Sequence, residues 1–171
     1  MKYRFCNGLI SLPVLFLILF LTFCGGKTDE DLIMELMGNI GKFAEKKDVS
    51  GVMMNLADDY RDFEGRGIIE TENMVRSYFK QYKGIAINVL GTKIDEINLR
   101  EATIQTEVAL SSGAAKVFRK LIQLSTDIYR LKIKLRKVDG LWKIQYAEWR
   151  YVSFEELFPE SLSIFKRIFK M

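Results

Sequence analysis

The chain of 171 residues contains no histidine, and it has only two cysteines and two prolines. Without imidazole there is no Ser-His-Asp or Cys-His catalysis, and zinc sites that rely on histidine are excluded. Two cysteines cannot build a disulfide framework or a four-thiolate metal centre, so no metal or cofactor is expected. Two prolines leave long stretches free to form uninterrupted helices and strands. What is present is a 49% hydrophobic, 28% charged composition, enough apolar material for one domain with a real core.

The hydrophobic residues are unevenly spread. Lys2 and Arg4 precede an almost unbroken apolar run from Leu9 to Phe23. At about 15 residues, this run is shorter than the roughly 20 that cross a bilayer as a helix, and it reads as a signal-peptide core. No small-residue cleavage site of the A-x-A type follows. Instead Leu21-Thr22-Phe23-Cys24-Gly25 resembles the lipobox of bacterial lipoproteins, which implies a lipidated Cys24 as the new N-terminus; the bulky Phe23 departs from the small residue that pattern prefers. An uncleaved anchor and a soluble exported product stay open. Cleavage before Cys24 also removes Cys6, Lys2 and Arg4, leaving 24 basic against 22 acidic side chains and no disulfide partner. The chain divides into a signal peptide (1–23), a tether (24–28), a folded domain (29–152) and an amphipathic tail (153–171).

Within the domain, Leu32, Ile33, Leu36, Met37, Ile40 and Phe43 recur at helical spacing behind acidic Asp29 to Asp31. A second helix is expected from Asp48 or Ser50 through Ala57, ending in Asp58-Asp59-Tyr60-Arg61-Asp62. A third is expected from near Thr71 to Gly84. The period then becomes two, in Ile85 to Val89, Ala102 to Leu110 and Tyr129 to Leu135, and Asp139-Gly140 signals a hairpin leading to Trp142, Ile144 and Tyr146. Residues 111–126 fit either a helical turn or a long loop. Three helices on a four-stranded antiparallel sheet make an α+β domain. After Val152 the pattern returns to helix, divided at Pro159.

This element order, together with Asp58-Asp59-Tyr60-Arg61-Asp62, Asp127-Ile128-Tyr129-Arg130-Leu131, Asp139-Gly140-Leu141-Trp142-Lys143-Ile144 and Ala147-Glu148-Trp149-Arg150, resembles the cone fold of the nuclear transport factor 2-like (SnoaL/ketosteroid-isomerase-like) superfamily, in particular its small exported bacterial members of unassigned activity. The resemblance covers about Asp29 to Val152. It implies a conical pocket between helices and sheet, but not an activity, because isomerases, dehydratases and non-catalytic binding domains share the fold.

On that reading Asp59, Tyr60 and Asp62 are candidate pocket residues, with Tyr129 and Trp142 on the strands. A buried carboxylate beside a tyrosine is the arrangement of a general base with a phenolic donor; the alternative is an acidic cluster in water or paired with Arg61 and Arg66. Alternation puts Glu148 and Arg150 on one face with Trp142, Ile144 and Tyr146. There they bind a polar ligand or close a structural network with Asp59 or Asp62. Arg130, Lys132, Lys134 and Arg136 form a line of positive charge on one sheet face, suited to an anionic surface or simply solvated and paired with Glu107. Lys166, Arg167 and Lys170 flank an aromatic stripe that fits either a membrane surface or packing on the sheet or on a second copy.

These residues lead to a non-catalytic binding or scaffolding module tethered to a membrane of the bacterial cell envelope, facing the periplasm or exterior. The alternative is an isomerase or dehydratase. The expected partners are the membrane, a second copy of the chain, and a small molecule or envelope protein. Nucleic acid is not among them, since an exported chain without exposed aromatic platforms does not suit it.

Overall fold

A computed structural model describes residues 26–82, 84–112 and 126–169. The expected signal peptide, Cys24, residues 113–125 of the undecided segment and Lys170 lie outside the described residues. Helix α1 (Asp29–Glu45) begins with a capping box in which the Thr28 hydroxyl accepts from the Asp31 N–H at 3.1 Å and the Asp31 carboxylate accepts from the Thr28 N–H at 3.0 Å. Its buried face carries Ile33, Leu36 and Met37. Helix α2 (Val49–Met53) is capped by Asp48. It is shorter than expected, because the chain turns extended at Leu56.

Strand β1 (Leu56–Asp62) then replaces the expected end of the second helix. Val52, Met53, Leu56 and Ala57 mimic helical spacing, but β1 pairs in parallel with the last strand, Leu56 against Ile144 and Asp62 against Ala147. Such a distant partner leaves no local signature. Helix α3 (Ile68–Gln81) starts three residues earlier than expected, where Glu70 accepts from the Gly67 N–H at 3.1 Å. Strands β2 (Ile85–Ile97), β3 (Glu101–Ser112), β4 (Thr126–Val138) and β5 (Leu141–Tyr151) form an antiparallel meander, and the five-stranded sheet runs β1-β5-β4-β3-β2. The sheet is therefore mixed, with five strands rather than four. A short 3-10 helix (Phe154–Glu156) precedes helix α4 (Pro159–Phe169).

The sheet has two separately packed faces. On the inner face Ala102, Ile104, Ile133, Leu135, Ala147, Ile144 and Trp142 pack with Tyr60 and the α1 residues. On the outer face Leu90, Ala109, Ile128 and Val152 pack with Leu157 and Phe165 of the C-terminal segment. Glycine is required where the second packing meets the sheet: a Cβ on Gly91 would run into the Ser161 hydroxyl. Among the described residues no helix is long and apolar enough to cross a membrane.

Candidate functional site

Irregularities in the strand pairing decide which side chains face inward. One lies in β5, where Ile144 pairs with Leu135 and Tyr146 with Lys134, so that Gln145 is an extra residue. The bulge reverses the alternation after Ile144. Trp142, Ile144, Ala147 and Trp149 therefore face the helices, while Tyr146, Glu148 and Arg150 face outward beside Lys134, Lys132 and Arg130. This corrects the expectation that Glu148 and Arg150 share a face with Trp142 and Ile144. Bulges at Leu90 and Asp95 do the same in β2.

The Asp59, Tyr60 and Asp62 group is likewise divided. Asp59 is exposed, accepting from Gln145 Nε2 at 2.9 Å and pairing with Arg136 at 2.6 Å. Tyr60 is buried in the inner core. Burial, reinforced by the Asp62 charge, pushes its phenol up to about 12, against easing by Arg66 and Thr71, so it stays protonated at neutral pH. Asp62 is also buried. Its Oδ1 accepts from the Glu64 and Arg66 N–H groups, each at 2.9 Å, and its Oδ2 accepts from Arg66 Nε at 2.6 Å. Burial alone would raise its pKa, but the Arg66 side chain and these two amides outweigh it and hold the carboxyl below its ordinary range. The Arg66 guanidinium lies 5.4 Å from the Trp149 ring centre, and Phe63 meets that ring edge-on at 4.7 Å. Arg66 Nη2 is buried with no hydrogen-bond partner among the described residues.

Toward the end of the sheet where β4 starts and β5 finishes, the inner face becomes aromatic. Tyr129 and Tyr151 meet edge-on at 6.2 Å, and Tyr78 and Tyr82 of α3 stack at 5.8 Å. Burial raises the Tyr129 phenol, with Asp127, Tyr78, Tyr82 and Tyr151 adding to the effect, which puts the four rings in one neighbourhood. Tyr78 is 50% and Tyr151 61% exposed. Of the four, only Tyr129 stood out in the sequence; the i, i+4 spacing of Tyr78 and Tyr82 on one helix face was the available signal.

No protein-family model and no curated protein matches the sequence. Solved structures do. A candidate scytalone dehydratase from Novosphingobium aromaticivorans superposes with a TM-score of 0.62 at 16% identity, over 73% of this chain and 85% of its own. A protein of unknown function with a cystatin-like fold from Nostoc punctiforme gives 0.59 at 20% identity, over 73% and 93%. An NTF2-like protein of unknown function from Pseudomonas putida gives 0.60 at 12% identity, over 78% and 100%. The chain has the nuclear transport factor 2-like fold. At these identities the likeness extends to the fold and stops there.

In this nuclear transport factor 2-like cone the half nearest Trp142 is filled by side chains, and Trp142 Nε1 donates to Asp29 Oδ1 at 3.1 Å, beside Lys137 at 2.5 Å. The outer face of the cone's sheet carries the expected line of basic residues, much of it already engaged. Arg130 pairs with Glu107 at 2.5 Å, Arg136 with Asp59, and Lys134 lies 5.8 Å from the Tyr146 ring centre. Glu107 is fully buried, and its second oxygen accepts from the Phe158 N–H at 3.0 Å. Arg130 also donates to the Glu156 carbonyl and stacks 4.5 Å from the Phe158 ring centre. Arg150 pairs with Glu156 at 2.8 Å, and Tyr146 donates to Glu148 at 2.9 Å. Neither Glu148 nor Arg150 meets Asp59 or Asp62, so the expected network between them is replaced by contacts to the C-terminal segment and to Tyr146. A recess of about 400 Å³ beside them is bordered by Lys132, Gln105 and Asp95. Lys166 and Arg167 are exposed on α4, whose Phe165 is buried against the sheet.

Proposed function

We propose that this chain is a non-catalytic binding module, tethered through Cys24 to a membrane of the bacterial cell envelope, that takes a flat apolar small molecule at the tyrosine end of its cone. The state of Asp62 carries this reading. A general base must have a free lone pair and a pKa near the working pH. Three donors take most of the Asp62 lone pairs, and its carboxyl is held below its ordinary range, away from the working pH of a base. Asp59 points away from the cone, and the sequence supplies no histidine to replace either. The exposed rings of Tyr78 and Tyr151, with the partly buried Tyr82 and Tyr129 beside them, favour stacking with a planar ligand.

The alternative, an isomerase or dehydratase, draws on the proximity of protonated Tyr60 to Asp62 and on the resemblance of the fold to that of a candidate dehydratase. It requires Asp62 to give up Arg66. Fluorescence titration with anilinonaphthalene sulfonate separates the two. Under the proposal, Tyr78→Ala with Tyr82→Ala weakens dye binding at least several-fold, whereas Asp62→Asn leaves it unchanged in the folded protein. Dye binding that ignores the tyrosines and depends on Asp62 supports the enzyme reading.

A further inference from the structure

Two hairpin tips stand at the end of the sheet opposite the tyrosines. Leu99, between β2 and β3, is 86% exposed, and Leu141, at the start of β5, is 64% exposed. They belong to one surface, because the Lys137 N–H donates to the Arg100 carbonyl at 2.7 Å and a recess of about 520 Å³ is bordered by Leu99, Arg100, Arg136, Lys137 and Gly140 together with Glu101. The start of α1 is fixed at this same end, through Asp29 to Lys137 and Trp142. Cys24 lies four residue steps before Thr28, a reach of at most about 14 Å for an extended chain. Tyr129 and Val138 lie at opposite ends of β4, about 30 Å apart at the usual rise per residue. A lipid on Cys24 therefore keeps the hairpin end near the bilayer, and the tyrosine end is too distant to share that position.

The geometry points to the hairpin end as a membrane-docking surface, with Leu99 and Leu141 entering a phospholipid bilayer and the tyrosine end facing away from it. The inference rests on the lipidation of Cys24 proposed above. An anchor held this close raises the local concentration of the lipid surface, so two leucines suffice as the second, weaker attachment. Glu101 and Asp139 offset Arg100, and Arg136 and Lys137 are already paired with Asp59 and Asp29, so apolar insertion, and not headgroup charge, supplies the contact. In the C-terminal segment Phe165 and Leu157 are already buried in the outer core.

The test uses the full chain, processed in bacteria and reconstituted into vesicles of phosphatidylcholine and phosphatidylglycerol. Lipidation blocks Cys24 and processing removes Cys6, leaving an introduced cysteine as the sole free thiol. An environment-sensitive dye is placed at Leu99→Cys or Leu141→Cys, with exposed Lys80→Cys in the last turn of α3 as the reference. Dyes at 99 and 141 are expected to shift to the blue and to be quenched by spin-labelled lipid, in low and high salt alike, while the dye at 80 does neither. Vesicles that carry the protein with positions 99 and 141 still in water, or a blue shift that high salt abolishes, overturn the docking surface and leave the tether standing. Protein that fails to float with vesicles, as Cys24→Ser is expected to fail, overturns the tether and the docking surface together.

Discussion

Asp62 and Glu107 are both buried carboxylates held by an arginine and by backbone N–H groups, but they organise very different amounts of the chain. All three donors to Asp62 come from Glu64 and Arg66, so the pair shapes one loop at the end of β1. Glu107 sits in β3, takes Arg130 from β4, and takes the Phe158 N–H from the segment after β5. One carboxylate thus fastens three distant parts of the sequence and closes the outer face of the sheet. Under the reading proposed above, the hydrogen-bonded carboxylate at the end of β1 is idle as a base. The one on the outer face explains why the tail is part of the domain.

Removing the partner of the far-reaching carboxylate is the strongest way to break this comparison. Arg130→Ala leaves Glu107 buried without its counter-ion and is expected to cost about 3–5 kcal/mol in denaturant unfolding, with early proteolysis after Tyr151. A smaller loss of about 1–3 kcal/mol is expected from Gly91→Ala, whose new methyl displaces Ser161. Adding Ser161→Gly removes the obstructing hydroxyl, so the double variant should recover most of the loss; a double variant as unstable as the single would separate the tail from this effect.

The local carboxylate should matter less. Asp62→Asn keeps an acceptor for the two amides but loses the charge facing Arg66, at an expected cost of about 1–2 kcal/mol. Because its folded pKa lies below the ordinary 3.8, the stabilisation from Asp62 is complete above that value and lost as pH falls through the lower folded value. The acid limb of a stability profile should therefore be shallower in Asp62→Asn, and an unchanged limb would remove Asp62 from the account. Exposed Asp59 provides the lower bound: Asp59→Ala should change stability by less than about 1 kcal/mol despite its contact with Arg136.

The sequence revealed local chemistry more readily than distant pairing. Asp139-Gly140 was legible because both residues adopt positive φ, 50° and 81°, which few other pairs tolerate. The acidic start of α1 was legible for the same kind of reason, since its capping box is complete within four residues. Strand β1 was not, because its partner is β5 and its apolar spacing also suits a helix. The inward and outward assignment in β5 failed at Gln145, where one extra residue inverts every later position without changing the hydrophobic pattern before it. A pairing of the basic line with Glu107 was readable from cross-strand chemistry, but the full burial of Glu107 depends on the C-terminal segment above it. For the candidate site, Tyr60 and Asp62 are legible in the sequence and their environment is not; Tyr151 joins the helical pair Tyr78 and Tyr82 only through the fold.

The pairing of β1 with β5 also orders events in time. Contacts between Leu56 and Ile144 join distant parts of the chain, and such closures form slowly compared with hairpins. A chain emerging N-terminus first therefore has β1 in hand before its hydrogen-bonding partner arrives. During that interval the strand carries Asp58, Asp59 and Asp62 among its seven residues, and like charge opposes pairing with the same strand of another molecule. The acidic run that reads as a catalytic cluster in the sequence thus also disfavours pairing of β1 with its own copy before the last hairpin forms.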